Sequence, residues 1–94
     1  MATETVGTPG NQSLAQFQTV VLQQEGIFGP LKALGRKDQD NTITLEIGPS
    51  PVKRALLEIY VGDKPPDKPG HSLICNADCL VKGKIAKVAA YRPM

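Results

Sequence analysis

Hydrophobic and polar residues alternate most regularly in residues 42–47. This segment reads Thr-Ile-Thr-Leu-Glu-Ile, with an apolar side chain at every second position. Because successive side chains of a strand point to opposite faces, the pattern predicts a strand with one buried face. A polar cluster at residues 37–41 is typical of a chain reversal and predicts a hairpin with residues 31–36. The segment Gly48-Pro49-Ser50-Pro51 ends the strand, since proline donates no ladder hydrogen bond.

The densest apolar run, Arg54 to Gly62, fits both the strand period and the helix period. A helix over residues 51–61 would place Arg54 near its positive end and Glu58 near its negative end, both against the helix dipole. The Ile-Tyr-Val sequence also favours a pleated surface. We therefore predict a central strand with one apolar face and one mixed face, with a helix as the alternative.

Residues 14–25 are ambiguous in the same way. Ser13 and Gln16 have the spacing of a capping box, and Gly26 is a possible helix end. The β-branched run at residues 19–21 and the alternation of Phe17, Thr19 and Val21 favour a strand. The strand is the preferred interpretation, and a helix remains the alternative.

The second half of the chain is divided by a proline-rich segment, residues 63–70, in which Asp-Lys-Pro occurs twice. Its prolines predict an extended, solvated loop, and such a segment is also a possible preformed ligand for an aromatic groove on another protein. Beyond it, residues 72–75 and 79–82 predict two strands around a turn at residues 76–78. Residues 85–91 predict the last strand.

Together these segments predict a mostly β fold of five to six short strands joined by hairpins, arranged as a small barrel or sandwich. One short helix near the N-terminus is compatible with this class, and an α+β fold is the alternative. Residues 1–13 are polar and predict a flexible arm, and residues 14–94 predict a single domain.

Composition narrows the function classes. The chain has 94 residues, no Trp, two Phe and two Tyr, so its core must be aliphatic. A domain of this size buries a smaller fraction of its surface on folding than a larger domain does, and association with a second copy would add to its stability. Residues 1–13 lack the apolar stretch of a signal peptide, and no run approaches the roughly 20 apolar residues of a membrane span. We therefore expect a cytoplasmic protein.

The residues that usually carry catalysis or bind metals are sparse. His71, Cys75 and Cys79 are spaced unlike a structural zinc site, which needs four ligands. Along a single strand the two cysteines would lie about 13 Å apart, too far for a disulfide, whereas across the turn predicted at residues 76–78 they could face each other and be bridged. Because no secretion signal is present, two buried, reduced thiols are expected. The carboxylates fall in turns and on strand faces predicted to be exposed, and no phosphate-binding loop is present. These features predict a non-enzymatic protein without metal or cofactor.

The remaining hypothesis is a binding and assembly module. If the last strand lies at a sheet edge, its uncharged run can pair with a second copy. The sequence therefore predicts a homodimer that also binds a protein partner. The expected interface residues are Ile85, Val88, Ala90 and Tyr91.

Charge suggests an alternative function. The net charge is +2, but residues 1–47 carry −2 and residues 48–94 carry +4. In a small barrel the basic side chains could form a nucleic-acid surface, with Tyr60 or Tyr91 stacking on a base. The predicted contact residues are Lys53, Arg54, Lys82, Lys84, Lys87 and Arg92.

Overall fold

The computed structural model describes residues 12–39 and 41–94. This part of the chain forms helix α1 (Leu14–Gln24) and strands β1 (Lys32–Gln39), β2 (Thr42–Gly48), β3 (Ala55–Tyr60), β4 (His71–Val81) and β5 (Lys84–Pro93). The strands make one antiparallel sheet in the order β1-β2-β3-β5-β4. The predicted mostly β class with a short helix near the N-terminus is confirmed. The sheet is open, so it is neither the barrel nor the sandwich that we expected.

Helix α1 occupies the segment for which a strand was preferred. Its capping box is complete: the Ser13 backbone N–H donates to Gln16 Oε1 at 2.8 Å, and the Gln16 backbone N–H donates to Ser13 Oγ at 3.1 Å. The helix buries Phe17, Val21 and Leu22 on one side. Tertiary packing of this stripe outweighs the weak strand preference of the β-branched run.

The helix packs on one face of the sheet, which we call the helix face. Alternate residues of the inner strands contribute to it, because the register pairs Leu45 with Leu57 and Leu57 with Ala90. Together with the helix they form the main core. Its largest fully enclosed side chains are Val21, Leu22, Leu57, Cys79 and Val88.

Strand β3 confirms the prediction of a central strand for residues 54–62. It enters the sheet beside a tight approach at Gly48, where an added Cβ would lie 2.2 Å from the Lys53 carbonyl oxygen and 2.7 Å from the Arg54 Cα. Only glycine fits between these backbone atoms. The β2–β3 connection is therefore folded tightly against the end of the sheet.

Strand β4 contradicts the turn predicted at residues 76–78, because it runs unbroken from His71 to Val81. Its polar side chains Asn76 and Asp78 are exposed at the sheet edge, so they need no chain reversal. The reversal comes at Lys82 and Gly83, with φ values of 53° and 80°. Two consecutive positive φ values are typical of a type I′ hairpin turn.

Strand β5 lies between β3 and β4 and pairs with both. The condition for an edge-strand interface at the last strand is therefore not met. The two edges are β1 and β4. Of the predicted arm, residues 1–11 lie outside the described residues, while the Gln12 carbonyl accepts a 2.9 Å hydrogen bond from the Leu80 backbone N–H.

Candidate interaction sites

The α1–β1 connection and the β2–β3 connection meet at one end of the sheet, which we call the loop end (residues 25–31 and 49–54). Gly26 and Gly29 have φ values of 72° and 125°, so glycine shapes the turn on both sides of Ile27 and Phe28. A Cβ on Gly29 would lie 3.6 Å from Pro49 Cβ, so the two connections pack against each other. The backbone holds Phe28 at the surface of this corner.

The loop end exposes large apolar side chains. Phe28 is 70% exposed and Val52 is 87% exposed, and Leu31 is exposed as well. Beside Phe28 lies a groove of about 140 Å³ with Leu22, Ile27 and Leu31 in its walls. Exposed apolar side chains such as Phe28 and Leu31 beside a groove are typical of protein–protein contact sites. Phe28 was not among the contact residues predicted from the sequence, although an aromatic residue between two turn glycines is a readable signal.

The charged groups at the loop end are partly neutralised within the chain. Arg92 Nε and Nη2 each donate to one oxygen of Glu25 at 2.8 Å. This bidentate contact holds the pKa of the Glu25 carboxyl below its usual range. Arg54 pairs with Glu46 at 3.0 Å and also donates to the Pro51 carbonyl oxygen. Neither arginine presents an unpaired charge at this surface.

The predicted nucleic-acid set is divided between the two ends of the sheet. Lys53, Arg54 and Arg92 lie at the loop end, while Lys82 and Lys84 lie at the opposite end, beside the β4–β5 turn. Lys87 Nζ donates to the Gly62 carbonyl oxygen at 2.5 Å. The structure therefore brings together no surface that contains all six residues.

The aromatic side chains suggested for base stacking are also enclosed, since Tyr60 and Tyr91 are both buried. Three of the four predicted interface residues are likewise buried within the domain, namely Val88, Ala90 and Tyr91. Only Ile85 is exposed. Sites that depend on these tyrosines or on the interior of β5 are covered in the folded chain.

Both sheet edges carry features that hinder pairing with another strand. Strand β1 has an irregular register between Ala33 and Gly35 and bears an Arg36–Asp38 ion pair at 2.8 Å. Strand β4 has an irregular register between Leu73 and Cys75, and near its other end the Leu80 backbone N–H is already bonded to Gln12. Bulges, charges and covering segments are the usual protection of sheet edges.

The second face of the sheet, which we call the loop face, is covered by the proline-rich segment at residues 61–70, which we call the strap. Tyr91 Oη donates to the Pro66 carbonyl oxygen at 2.5 Å, and the Met94 backbone N–H donates to the Gly70 carbonyl oxygen at 2.9 Å. Burial raises the pKa of the Tyr91 phenol to about 12. The strap therefore contacts a tyrosine of its own sheet, whereas the sequence pattern suggested an aromatic groove on another protein.

Beneath the strap lies a buried carboxylate. Glu58 is 0% exposed, although sequence analysis placed it on an exposed strand face. Its Oε2 accepts a 2.6 Å hydrogen bond from Thr44 Oγ1 and forms an ion pair with Lys68 Nζ of the strap. Its Oε1 is buried and has no hydrogen-bond partner. Buried polar atoms in native proteins are nearly always paired, so this oxygen is unusual.

Cys75 and Cys79 lie on one continuous strand as free thiols, Cys79 buried and Cys75 partly buried. Burial raises the pKa of both thiols, for Cys79 to about 11. The ring of His71 contacts the chain elsewhere, with Nδ1 at 3.1 Å from the Pro69 carbonyl oxygen. Neither thiol is activated as a nucleophile by its surroundings.

Within residues 12–39 and 41–94, no three histidine, cysteine or carboxylate side chains come together as metal ligands. In the same residues no helix is long and apolar enough to cross a membrane. The search against protein-family models, the search of curated proteins and the search of solved structures each found no match.

Proposed function

We propose that this chain is a non-catalytic binding module that self-associates through its loop end. The observation that carries the proposal is the exposed Phe28 beside a groove large enough for a single side chain. Aromatic anchors next to apolar pockets dominate the binding energy of protein interfaces. A second copy of the chain offers both parts, an anchor and a groove, on the same surface.

Charge supports a second copy as the occupant. In a twofold dimer the same patch meets itself, so unpaired charges of one sign would repel. At the loop end Arg54 and Arg92 are each neutralised by a glutamate of the same chain, which leaves Lys53 exposed without an ion pair among the described residues. At the opposite end Lys82 and Lys84 are exposed and form no ion pair with the described residues. The loop end therefore carries less unpaired positive charge than the opposite end, which favours self-association there.

The lack of an activated thiol and the protected sheet edges agree with this proposal. A strand-to-strand dimer through β5 would require the sheet to open first, since both sides of β5 are paired. The loop end needs no such rearrangement. The divided basic residues and the buried tyrosines favour nucleic-acid binding less, and we propose no second function.

Sedimentation velocity over a range of protein concentrations tests the proposal. We expect a reversible dimer, and we expect Phe28→Ser to weaken dimerisation at least about tenfold, as the loss of an interface anchor does. The matched control is Ile85→Ser, which removes an exposed apolar side chain from the opposite end and should leave the dimer unchanged. A wild-type protein that stays monomeric at about 100 μM, or equal effects of the two substitutions, would refute the proposal.

A further inference from the structure

The loop face contains a buried carboxylate within an otherwise apolar stretch of β3. Glu58 interrupts an apolar strand in which its neighbours Ala55, Leu56 and Leu57 are buried. A buried ion pair contributes little net stability compared with packed apolar side chains. Local violations of folding rules in natural proteins are concentrated at functional sites.

The strap fills this site with one of its two lysines. The tripeptide Asp-Lys-Pro occurs at residues 63–65 and again at residues 67–69. Lys68 of the second copy pairs with Glu58, whereas Lys64 of the first copy is exposed and forms no ion pair within the described residues. One of two identical short motifs is therefore selected by the site.

The occupation by Lys68 is incomplete. The ammonium group of Lys68 and the hydroxyl of Thr44 both contact Oε2 of Glu58, and Oε1 is left buried without a donor. An ammonium is a compact charge that reaches one carboxylate oxygen here. A guanidinium presents two parallel N–H groups and matches both oxygens of a carboxylate.

From this mismatch we propose that the loop face binds an arginine side chain carried by an extended, proline-flanked segment of a partner protein. The strap is then an internal substitute for that segment. The partner's arginine displaces Lys68 and donates to both oxygens of Glu58, while the extended backbone takes the position of residues 66–69. This site is separate from the loop end and does not depend on dimerisation.

The surroundings of Glu58 are suited to such a segment. Tyr60 lies two residues further along β3 on the same face, and Tyr91 lies diagonally across on β5, where it pairs with Leu56. Tyr91 already donates to the carbonyl oxygen of a proline in the strap. A cavity of about 260 Å³ between the strap and Leu73 leaves room for the strap to shift. Extended proline-containing segments commonly bind to surfaces lined by aromatic side chains.

The two tyrosines give a direct readout. The chain has two Tyr and no Trp, so tyrosine emission comes only from Tyr60 and Tyr91. Both side chains are buried on the loop face, near the strap. Quenching of this emission by acrylamide therefore reports whether the strap, or a bound peptide, covers the site.

The test uses the Lys68→Ala variant, which leaves the site without its internal cation, and peptides with the sequence of residues 63–70. Three peptides are compared: the natural sequence, one with Lys68→Arg and one with Lys68→Ala. Binding is followed by tyrosine emission and by backbone amide shifts of Thr44 and Glu58. We expect the arginine peptide to bind at least about tenfold more tightly than the lysine peptide, and the alanine peptide not to bind.

Two controls connect binding to the carboxylate and to the strap. In the Glu58→Gln/Lys68→Ala variant the preference for arginine should disappear. Wild-type protein should bind the arginine peptide at least about tenfold more weakly than Lys68→Ala does, because the tethered strap competes at an effective concentration in the millimolar range. The Lys64→Ala variant should behave like wild type.

A version of the test in a single chain needs no added peptide. Lys68→Arg should hold the strap more firmly and reduce acrylamide quenching at least about twofold relative to wild type. The reason is that quenching depends on the fraction of molecules in which the strap has opened. This comparison decides the matter if Lys68→Ala does not fold. The proposal would be overturned if the three peptides bind equally or if the arginine peptide does not bind to folded Lys68→Ala. It would also be overturned if the preference for arginine remains in the Glu58→Gln/Lys68→Ala variant, or if Lys68→Arg does not reduce quenching relative to wild type.

Discussion

The two faces of the sheet are covered in different ways. The helix face is closed by α1, which inserts apolar side chains against the alternate apolar residues of β3, β4 and β5. The loop face is closed by the strap, which is fixed by polar contacts to Glu58 and Tyr91. The second face has only a small apolar cluster, formed by Leu56, Tyr60, Ala89 and Tyr91.

This difference indicates which face carries stability and which can change. Apolar packing is spread over many contacts and is lost only when the core opens. Polar ties such as the Lys68–Glu58 pair are few, and an external group of the same chemistry can replace them. The helix face therefore sets the free energy of unfolding, and the loop face is the part of the domain that can exchange its cover for a partner.

The largest expected effect compares adjacent leucines of β3 that point to opposite faces. Leu57→Ala removes a fully enclosed side chain from the helix face and should lower the free energy of unfolding by about 4 kcal/mol. Leu56→Ala should lower the free energy of unfolding by only about 2 kcal/mol, because the strap can move into part of the cavity. Urea denaturation measures both. Equal losses would show that the two faces are equally rigid.

The second effect concerns the buried ion pair. Lys68→Met leaves Glu58 without its cation and should lower the free energy of unfolding by about 2 to 3 kcal/mol. The loss is smaller than it would be in a rigid site, because the strap can move away and let water reach the carboxylate. The double variant Glu58→Leu/Lys68→Met should return to within about 1 kcal/mol of wild type. The same denaturation experiment gives the coupling between the two positions. A double variant no more stable than Lys68→Met would contradict this account.

Alkaline pH separates the two faces. The pKa of Cys79 on the helix face is raised from 9.0 to about 11, and that of Tyr91 on the loop face from 10.0 to about 12. A raised pKa in the folded state means that the unfolded chain releases the proton first, so stability falls as pH rises. The loss should begin near pH 9 from Cys79, increase above pH 10 from Tyr91, and reach on the order of 1 to 2 kcal/mol for each group.

Tyr91→Phe sharpens the pH experiment. This variant should lose the component above pH 10 and keep the earlier one. Cys79→Ala should keep the later component and reduce the earlier one, to which Cys75 also contributes because burial raises its pKa too. Thermal unfolding at pH 8, 9.5 and 11 distinguishes the two. If neither substitution changes the pH profile, the two groups are not the source of the loss.

The smallest effect comes from a residue that belongs to neither face. Lys82 has a φ of 53° in the β4–β5 turn, where a lysine is less favourable than asparagine. Lys82→Asn should stabilise the domain by about 0.5 kcal/mol. Acrylamide quenching of the tyrosines should stay unchanged, because the turn does not contact the strap. A change in quenching would mean that the loop face responds to stability in general.

The alternation of apolar and polar residues predicted the two inner strands β2 and β3. Residues 42–47 alternate strictly and form β2, and residues 54–62 contain β3. The N-terminal helix was the less favoured interpretation, because its β-branched residues were weighed without the partner surface that buries Phe17 and Val21. The Leu14, Phe17, Val21 spacing and the capping box were both readable signals of a helix.

The order of the strands could not be read in the same way. The last strand looks like an edge strand in isolation, because nothing in its own residues shows that β3 and β4 pair with it. The polar Asn76 and Asp78 resemble a turn until β4 is known to lie at the edge, where polar side chains reach water. Both errors arise from long-range pairing, which local patterns do not encode.

The candidate sites were the hardest part to predict. Glu58 occupies a position on the mixed face of β3, and its burial depends on a strap that follows it by several residues. The sequence did suggest that the Asp-Lys-Pro segment docks on an aromatic surface. It did not show that the surface belongs to the same chain.

Acrylamide quenching of tyrosine emission in Lys64→Ala and Lys68→Ala tests the account most directly. The two substitutions remove the same side chain from two copies of the same tripeptide, and only the second copy contacts Glu58. The account predicts wild-type quenching in Lys64→Ala and at least about twofold stronger quenching in Lys68→Ala, because loss of the buried pair opens the strap. Equal quenching in the two folded variants would contradict it.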